Sequence, residues 1–410
     1  MMIDRLSLLD HQLGSLRRLI DELLTHNPFY RRKLLESGIA DSSEIRSLAD
    51  LSRLPFTTRR ELTEDQASAP PFGTNLSSPI DHYVHWHRTS GTQGRPLHWL
   101  DTRESWAWVN TCWRAVLEAA EVTARDRIFF PFSFGPFLGF WSGWYAAEQI
   151  GALCFSGANQ SSPQRLKSMV EFGVTVVCAT PTYALHLAEI AELEGIDLRG
   201  SAVNRLIVAG EPGGSIPQTR ESIERRWGAR VFDHAGATEV GPHSFACAEG
   251  RALHLNEEQF IAEVAPGTGE LILTNLGRLA SPVIRYRTGD LAVVDDRPCP
   301  CGRPFIRLVD GIAGRLDDMI TIRGVNIFPS AIEGALRRFE EVLEFRLEVF
   351  RVQSLDELVV SVEVTSDEIA AKIQLELANT FGLRIPVRAV PPQSLPRFEL
   401  KARRFIDHRG

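Results

Sequence analysis

Residues 88–96, RTSGTQGRP, gather two glycines and three hydroxyls directly after the alternating run DHYVHWH. Such a loop can aim backbone N–H groups and hydroxyls at a polyphosphate, because glycine permits positive φ and close approach. No Gly-Lys-Ser/Thr follows, so it is not a Walker loop. By composition alone a surface turn is the plainer reading. A second pattern, Cys299-Pro300-Cys301-Gly302, presents two thiolates from one tight turn, as structural zinc sites do. Cys247 and His254 flank the upstream turn AEGRAL and are the candidates to complete four ligands, with free thiols in a surface turn as the alternative.

These groups need elements to hold them. The runs VTVVCA (174–179) and RLIVAGE (205–211) are each followed by a helical pattern, YALHLAEIAELEG and PQTRESIERRWG. That alternation predicts an α/β domain with largely parallel strands. The strands end in ATP, PTY and GEPGGS, so turns rich in Gly, Pro and Ser/Thr collect on one sheet edge, where such folds bind ligands. The opening, LRRLIDELLTHNPFYRRKLLESGI, predicts two short helices broken at Asn27-Pro28. After about residue 315 the order changes to strands FRLEVF and ELVVSVEV and the helix DEIAAKIQLELANTFG, an α+β pattern. The expected division is a large domain over 1–315 and a small one over 316–410.

Composition narrows the function. A formal charge of −7 provides no field for holding a nucleic-acid backbone or an anionic membrane surface. No apolar stretch is long enough to span a bilayer, and the N-terminus shows no secretory pattern, so the cytoplasm is expected. Six cysteines are too few for a disulfide framework, and Cys112, Cys154 and Cys178 sit in apolar surroundings as small hydrophobes.

The loop, GEP (210–212), DHAGATE (233–239), YRTGD (286–290), GRLDDMITIRGVNIFPSAIE (314–333) and LPRFELKARRFIDHR (395–409) follow one another as in adenylate-forming enzymes. With NPFYRRKL and LPFTTRREL near the start, the chain resembles the phenylacetate-CoA ligase family over nearly its whole length. The resemblance implies a large N-terminal domain, a small C-terminal domain that rotates between two half-reactions, and a homodimer. It assigns Thr89, Ser90, Gly91, Thr92 and Gly94 to the ATP phosphates, with Arg95 where the family has Lys. Gly210, Glu211, Pro212, Asp233 and His234 match positions that hold adenine, His234 standing for a Tyr as a flat surface for stacking. Glu239 matches the magnesium carboxylate, a hard oxygen ligand beside dense negative charge, and Thr238 the hydroxyl near the α-phosphate. The bland alternative is that Thr238-Glu239 begins a helix.

Asp290 matches the acceptor of both ribose hydroxyls, where a turn Asp after Gly is the alternative. Arg315 matches the phosphate- or ribose-facing arginine and Asp317 the hinge. Lys401 matches the lysine that bridges substrate carboxylate and α-phosphate, a point cation between two anions that must approach. Leu400 stands where the family has Gly. The family places one acyl-pocket wall in the aromatic stretch 129–152, with candidates Phe134, Gly135 and Phe137, and further contacts at Tyr183, Ala235 and Gly236. These segments lack charge, which suits an uncharged aryl or arylacetic tail. The family shows cysteines and a histidine like those above, and some members carry zinc there.

The expectation is thus an ATP- and Mg²⁺-dependent ligase that converts an aromatic carboxylic acid to an acyl-adenylate and passes it to coenzyme A. The same chemistry could serve the phosphopantetheine of a carrier protein or an amine. A catalytically silent nucleotide-binding scaffold is the alternative of another class, motivated by Arg95, His234 and Leu400, and opposed by the survival of Glu239, Asp290 and Lys401.

Overall fold

The computed structural model describes residues 4–89, 95–250, 252–352, 355–399 and 401–409. Ser90, Gly91, Thr92 and Gly94, together with Leu400, lie outside the described residues. The opening forms helices Arg5–His26 and Pro28–Glu36, divided where expected. Asn27 caps the second helix through its side-chain oxygen, while its amide donates to Asn75 and Ser77.

The β-branched runs become fully buried parallel strands because helices cover both faces of this half of the sheet. Strands Leu153–Ser156, Arg127–Phe130, Val176–Ala179, Arg205–Ala209 and Arg230–Ala237 lie side by side in that order, all parallel. Helix Pro181–Glu194 starts at the Thr180 cap with Pro at its first turn and stops at Gly195, and helix Pro217–Trp227 repeats the Pro-first, Gly-last arrangement. Both carry their strands' connections past the same sheet edge.

The sheet does not end there. Strand Arg230–Ala237 turns back through Thr238–Val240 into Gly241–Ala246, and the pairing becomes antiparallel. Leu253–Leu255, Arg307–Arg315, Tyr286–Asp295, Glu270–Asn275 and Phe260–Val264 complete an 11-stranded sheet. Thr238 and Glu239 therefore sit in a tight turn where the parallel half meets the antiparallel half, and they begin no helix. The turn is possible because residue 241 is glycine. Its φ is +104°, and a Cβ there would lie 3.3 Å from the Trp108 ring.

The sheet's strand Arg307–Arg315 stops at the Leu316–Asp318 turn, and a separate core begins at Ile320. It joins the hairpin Ile320–Ile327, helices Pro329–Leu336 and Asp367–Phe381, and a four-stranded sheet. In that sheet Phe345–Val352 and Leu355–Glu363 form a central antiparallel pair, flanked in parallel by Phe405–Asp407 and Val387–Val390. The strand Phe405–Asp407 begins four residues after Lys401, so the small sheet anchors the lysine's segment. Among the described residues no helix is long and apolar enough to cross a membrane. The fold is α/β: a large domain built on one big sheet and a smaller α+β domain after it.

Candidate active site

Lys401 comes back from the small domain to the sheet edge where the strand-to-helix turns collect. Its Cε lies 3.4 Å from the point where a Cβ on Gly210 would stand, and Gly210 has φ +96°. Burial lowers the pKa of its ammonium; Glu211, Asp290 and Glu239 oppose that, and Arg315 adds to it. The lysine keeps access to solvent along the cleft, so it is crowded rather than sealed. One cation thus faces three carboxylates drawn from three separate stretches of the chain, two turns and the strand Tyr286–Asp295.

Each carboxylate has its own setting. Asp290 accepts from Arg315 at 2.8 Å, and burial pushes its carboxyl up to about 6 despite that cation. Arg315 also forks onto both oxygens of Asp317 at 3.0 Å, tying the end of the large sheet to the turn that follows. Glu239 is buried and accepts from Arg59 at 2.8 Å and from the Tyr286 hydroxyl at 3.3 Å. Thr238 gives its carbonyl to Arg278 at 2.6 Å, and Arg278 is buried on Asp101. Glu211 uses one oxygen for the Thr182 N–H at 2.9 Å and the other for the Ala402 N–H at 2.7 Å; burial pushes its carboxyl up. Pro212 is exposed beside it.

Arg59 is the residue the sequence reading missed. Its guanidinium links Glu239 to the start of the glycine-rich loop, donating to the Thr89 hydroxyl at 3.1 Å. A signal existed: Arg59 opens helix Arg59–Ser68, where the positive helix end disfavours a cation. A basic residue in that unfavourable position, just past the Thr58 cap, points to an anionic partner. Here the partner is Glu239, and the same guanidinium reaches Thr89.

Two expectations change. The His234 ring, expected as a stacking surface, is turned into the protein: its Nδ1 donates to the Ser244 carbonyl at 2.9 Å, and its ring packs on Trp113 at 4.5 Å. Burial brings its pKa down to about 4, so it is neutral and interior. Residues Val231–His234 of strand Arg230–Ala237 are all buried, and the strand comes toward the surface only at Ala235 and Gly236. Tyr183, expected at the acyl pocket, is also interior. Its hydroxyl bonds Ser162 at 3.0 Å and Arg165, in the core between two helices. Asp233 is buried too, bonded to the Ser215 hydroxyl and the His234 N–H, with its carboxyl pushed up to about 6 by burial.

The aromatic stretch packs largely on itself. Phe134 lies 4.5 Å from Trp141 and 5.3 Å from Phe132, ring to ring. The Gly135 carbonyl takes the Trp141 indole N–H at 2.9 Å. Phe137 remains 39% exposed at the start of helix Leu138–Ile150.

The cysteine cluster assembles through strand pairing. His254 faces Arg307 across antiparallel strands, which draws the Cys299–Cys301 turn onto Cys247. The four ligand atoms lie within 4.8 Å of one another. Cys247 and Cys299 sulfurs are 3.7 Å apart, and Cys301 Sγ is 3.4 Å from His254 Nε2. Tetrahedral zinc with sulfur at about 2.3 Å needs sulfurs roughly 3.8 Å apart, so the donor set fits such an ion. Burial lowers His254 to about 4, which keeps its imidazole neutral as a ligand must be.

Comparison with known proteins adds to this geometry. The family described as AMP-binding enzyme C-terminal domain matches residues 324–409. The phenylacetate-coenzyme A ligase of Escherichia coli (strain K12) is 32% identical, covering 93% of this chain and 91% of its own length. The phenylacetate-coenzyme A ligase of Thermus thermophilus is 30% identical over 96% and 95%. A crystal structure of 2-hydroxyisobutyryl-CoA ligase in the postadenylation state with 2-HIB-AMP superposes with TM-score 0.93, at 30% identity over 99% of this chain and 90% of that one. The same ligase in the thioesterification state with 2-HIB-AMP and CoA gives 0.74, at 30% identity over 100% and 91%. The whole chain is thus more similar to the postadenylation structure of that relative than to its thioesterification structure.

Proposed function

Since the chain belongs to the phenylacetate-CoA ligase family of adenylate-forming enzymes, we propose that it activates a carboxylic acid with ATP as acyl-AMP and transfers the acyl group to coenzyme A. The observation that carries this is Lys401 in the cleft, facing Asp290, Glu239 and Glu211 from the far domain. The substrate carboxylate attacks the α-phosphorus and pyrophosphate leaves. Lys401 compensates the two anions as they close. Asp290 receives the ribose hydroxyls, and the RTSGTQGRP motif receives the phosphates, a reading supported by Arg59, which bonds Thr89 and the Arg95 carbonyl on either side of it. Glu239 would hold Mg²⁺, which supplies charge neutralisation to the phosphates. Arg59 neutralises that carboxylate in the meantime, at 2.8 Å.

The finer points belong to the same proposal. The acid is aryl or arylacetic, a reading supported by the uncharged wall of Phe134, Trp141 and Phe137. Cys247, His254, Cys299 and Cys301 hold a structural zinc, supported by their separations. The domains divide at Arg315, Asp317 is the hinge, and the enzyme works in the cytoplasm as a homodimer. Coenzyme A is favoured over a carrier protein because the relatives named above are CoA ligases.

Exchange of labelled pyrophosphate into ATP, driven by a panel spanning phenylacetate, benzoates and 2-hydroxyisobutyrate, tests the proposal. Strongest exchange with an aromatic acid is expected, and no exchange with any acid overturns the ligase reading. Lys401→Ala should lower exchange by roughly 10²–10³ while thioester formation from supplied acyl-AMP stays within about threefold.

A further inference from the structure

The segment 397–404, which carries Lys401, is held to the large domain at four places. Arg397 forks onto Glu189 at 2.8 and 3.0 Å while also gripping Glu363 of the small sheet. Glu399 meets the buried Arg165 at 3.0 Å. Arg404 donates to the Thr182 hydroxyl at 3.0 Å. The fourth contact differs in kind: Glu211 accepts directly from the backbone N–H of Ala402 at 2.7 Å.

A bond to that N–H fixes the peptide joining residue 402 to Lys401, and so sets the direction in which the lysine leaves the chain. Ion pairs through long side chains constrain the backbone less. Glu211 is itself fixed, because its second oxygen takes the Thr182 N–H at 2.9 Å in the first turn of helix Pro181–Glu194, where the helix dipole favours a carboxylate. Gly210, next to it, has φ +96°, which favours glycine, and a Cβ there would be in van der Waals contact with Lys401 Cε at 3.4 Å.

We infer that Glu211 is the positioning residue that seats Lys401 for adenylation, and that its bond to the Ala402 N–H breaks when the small domain leaves. The inference rests on Lys401 being the adenylation lysine. It also separates cleanly from an adenine-holding role for the same turn. Acyl-AMP keeps its adenine, so an adenine contact serves both half-reactions, whereas a seat for Lys401 serves only the first. The carboxylate has an electrostatic part as well. Among the groups facing Lys401, Glu211 leads Asp290 and Glu239 in opposing the effect of burial, while Arg315 works the other way.

Glu211→Gln and Glu211→Asp in the full chain test this. The Thr182 and Ala402 N–H groups each use a different Glu211 oxygen, so in Gln one of them faces an NH₂ donor instead of an acceptor; Asp keeps the charge and loses the reach. For Glu211→Gln, pyrophosphate exchange should fall at least roughly tenfold, with thioester formation from supplied acyl-AMP within about threefold. Its high-pH limb should start at lower pH, since Lys401 loses a carboxylate, whereas Glu211→Asp should lose rate and keep the limb. Amide hydrogen exchange across 397–404 should rise in both variants, whatever the turnover. Equal loss of both half-reactions, or unchanged hydrogen exchange across 397–404, overturns the assignment. Wild type that exchanges no pyrophosphate with any acid sinks the ligase reading instead, and hydrogen exchange still judges the Glu211 contact.

Discussion

Asp290 accepts from Arg315 and yet carries a carboxyl raised to about 6, because burial outweighs the cation. Above that range it is ionised, as the proposed bond to two ribose hydroxyls needs; below it, one oxygen carries a proton and the charge is gone. The free-enzyme profile of kcat/KM for ATP should therefore fall as pH drops through about 6. Asp233 titrates in the same range, so Asp290→Asn should retain only the part of that limb that Asp233 contributes. An unchanged profile in Asp290→Asn would remove Asp290 from ATP binding. At this scale the sequence showed which residue types recur, but not their direction. His234 and Asp233 are neighbours in one motif, and both prove interior, His234 on Trp113 and Asp233 on Ser215. Arg59 went unseen because its partner, Glu239, lies 180 residues away.

Elements with a clear period were legible. The two opening helices, the buried strands and their Pro-first helices follow from local rules that act within about a dozen residues. The antiparallel half of the large sheet, from Gly241 to Arg315, was not foreseen, because its strands interleave out of chain order. That interleaving is what closes the cysteine cluster: Leu253–Leu255 pairs with Arg307–Arg315, although some fifty residues separate them. If zinc joins these strands, purified protein should hold one equivalent, and Cys299→Ser should lose it with an unfolding midpoint lower by roughly 3–5 °C. Metal-free wild type by elemental analysis would remove the ion from the account.

Across the whole molecule, the small domain meets the large one through charged contacts, Arg225 with Glu340 at 2.6 Å as well as those of the tail. Polar seams of this kind can be exchanged for water at modest cost, as the proposed domain rotation requires. Asp317, forked by Arg315, sits in the short turn between the two cores. Proline there fits the 3₁₀ turn but fixes φ near −65°. Asp317→Pro should keep pyrophosphate exchange and lose thioester formation at least roughly tenfold, with Asp317→Ala, which loses only the ion pair, as the control. Thioester formation retained in Asp317→Pro would place the pivot elsewhere. The order of motifs along the chain, from RTSGTQG to Lys401, was enough to determine the family and its acid-CoA ligase chemistry, and the alternation of strand and helix patterns the α/β class, because both are patterns local in sequence. Only the folded chain decided which side chains face the cleft, that Arg59 stands between Glu239 and Thr89, and that Glu211 holds the peptide beside Lys401. Those are meetings between residues far apart in sequence, set by strand order and domain placement, and no local pattern encodes them.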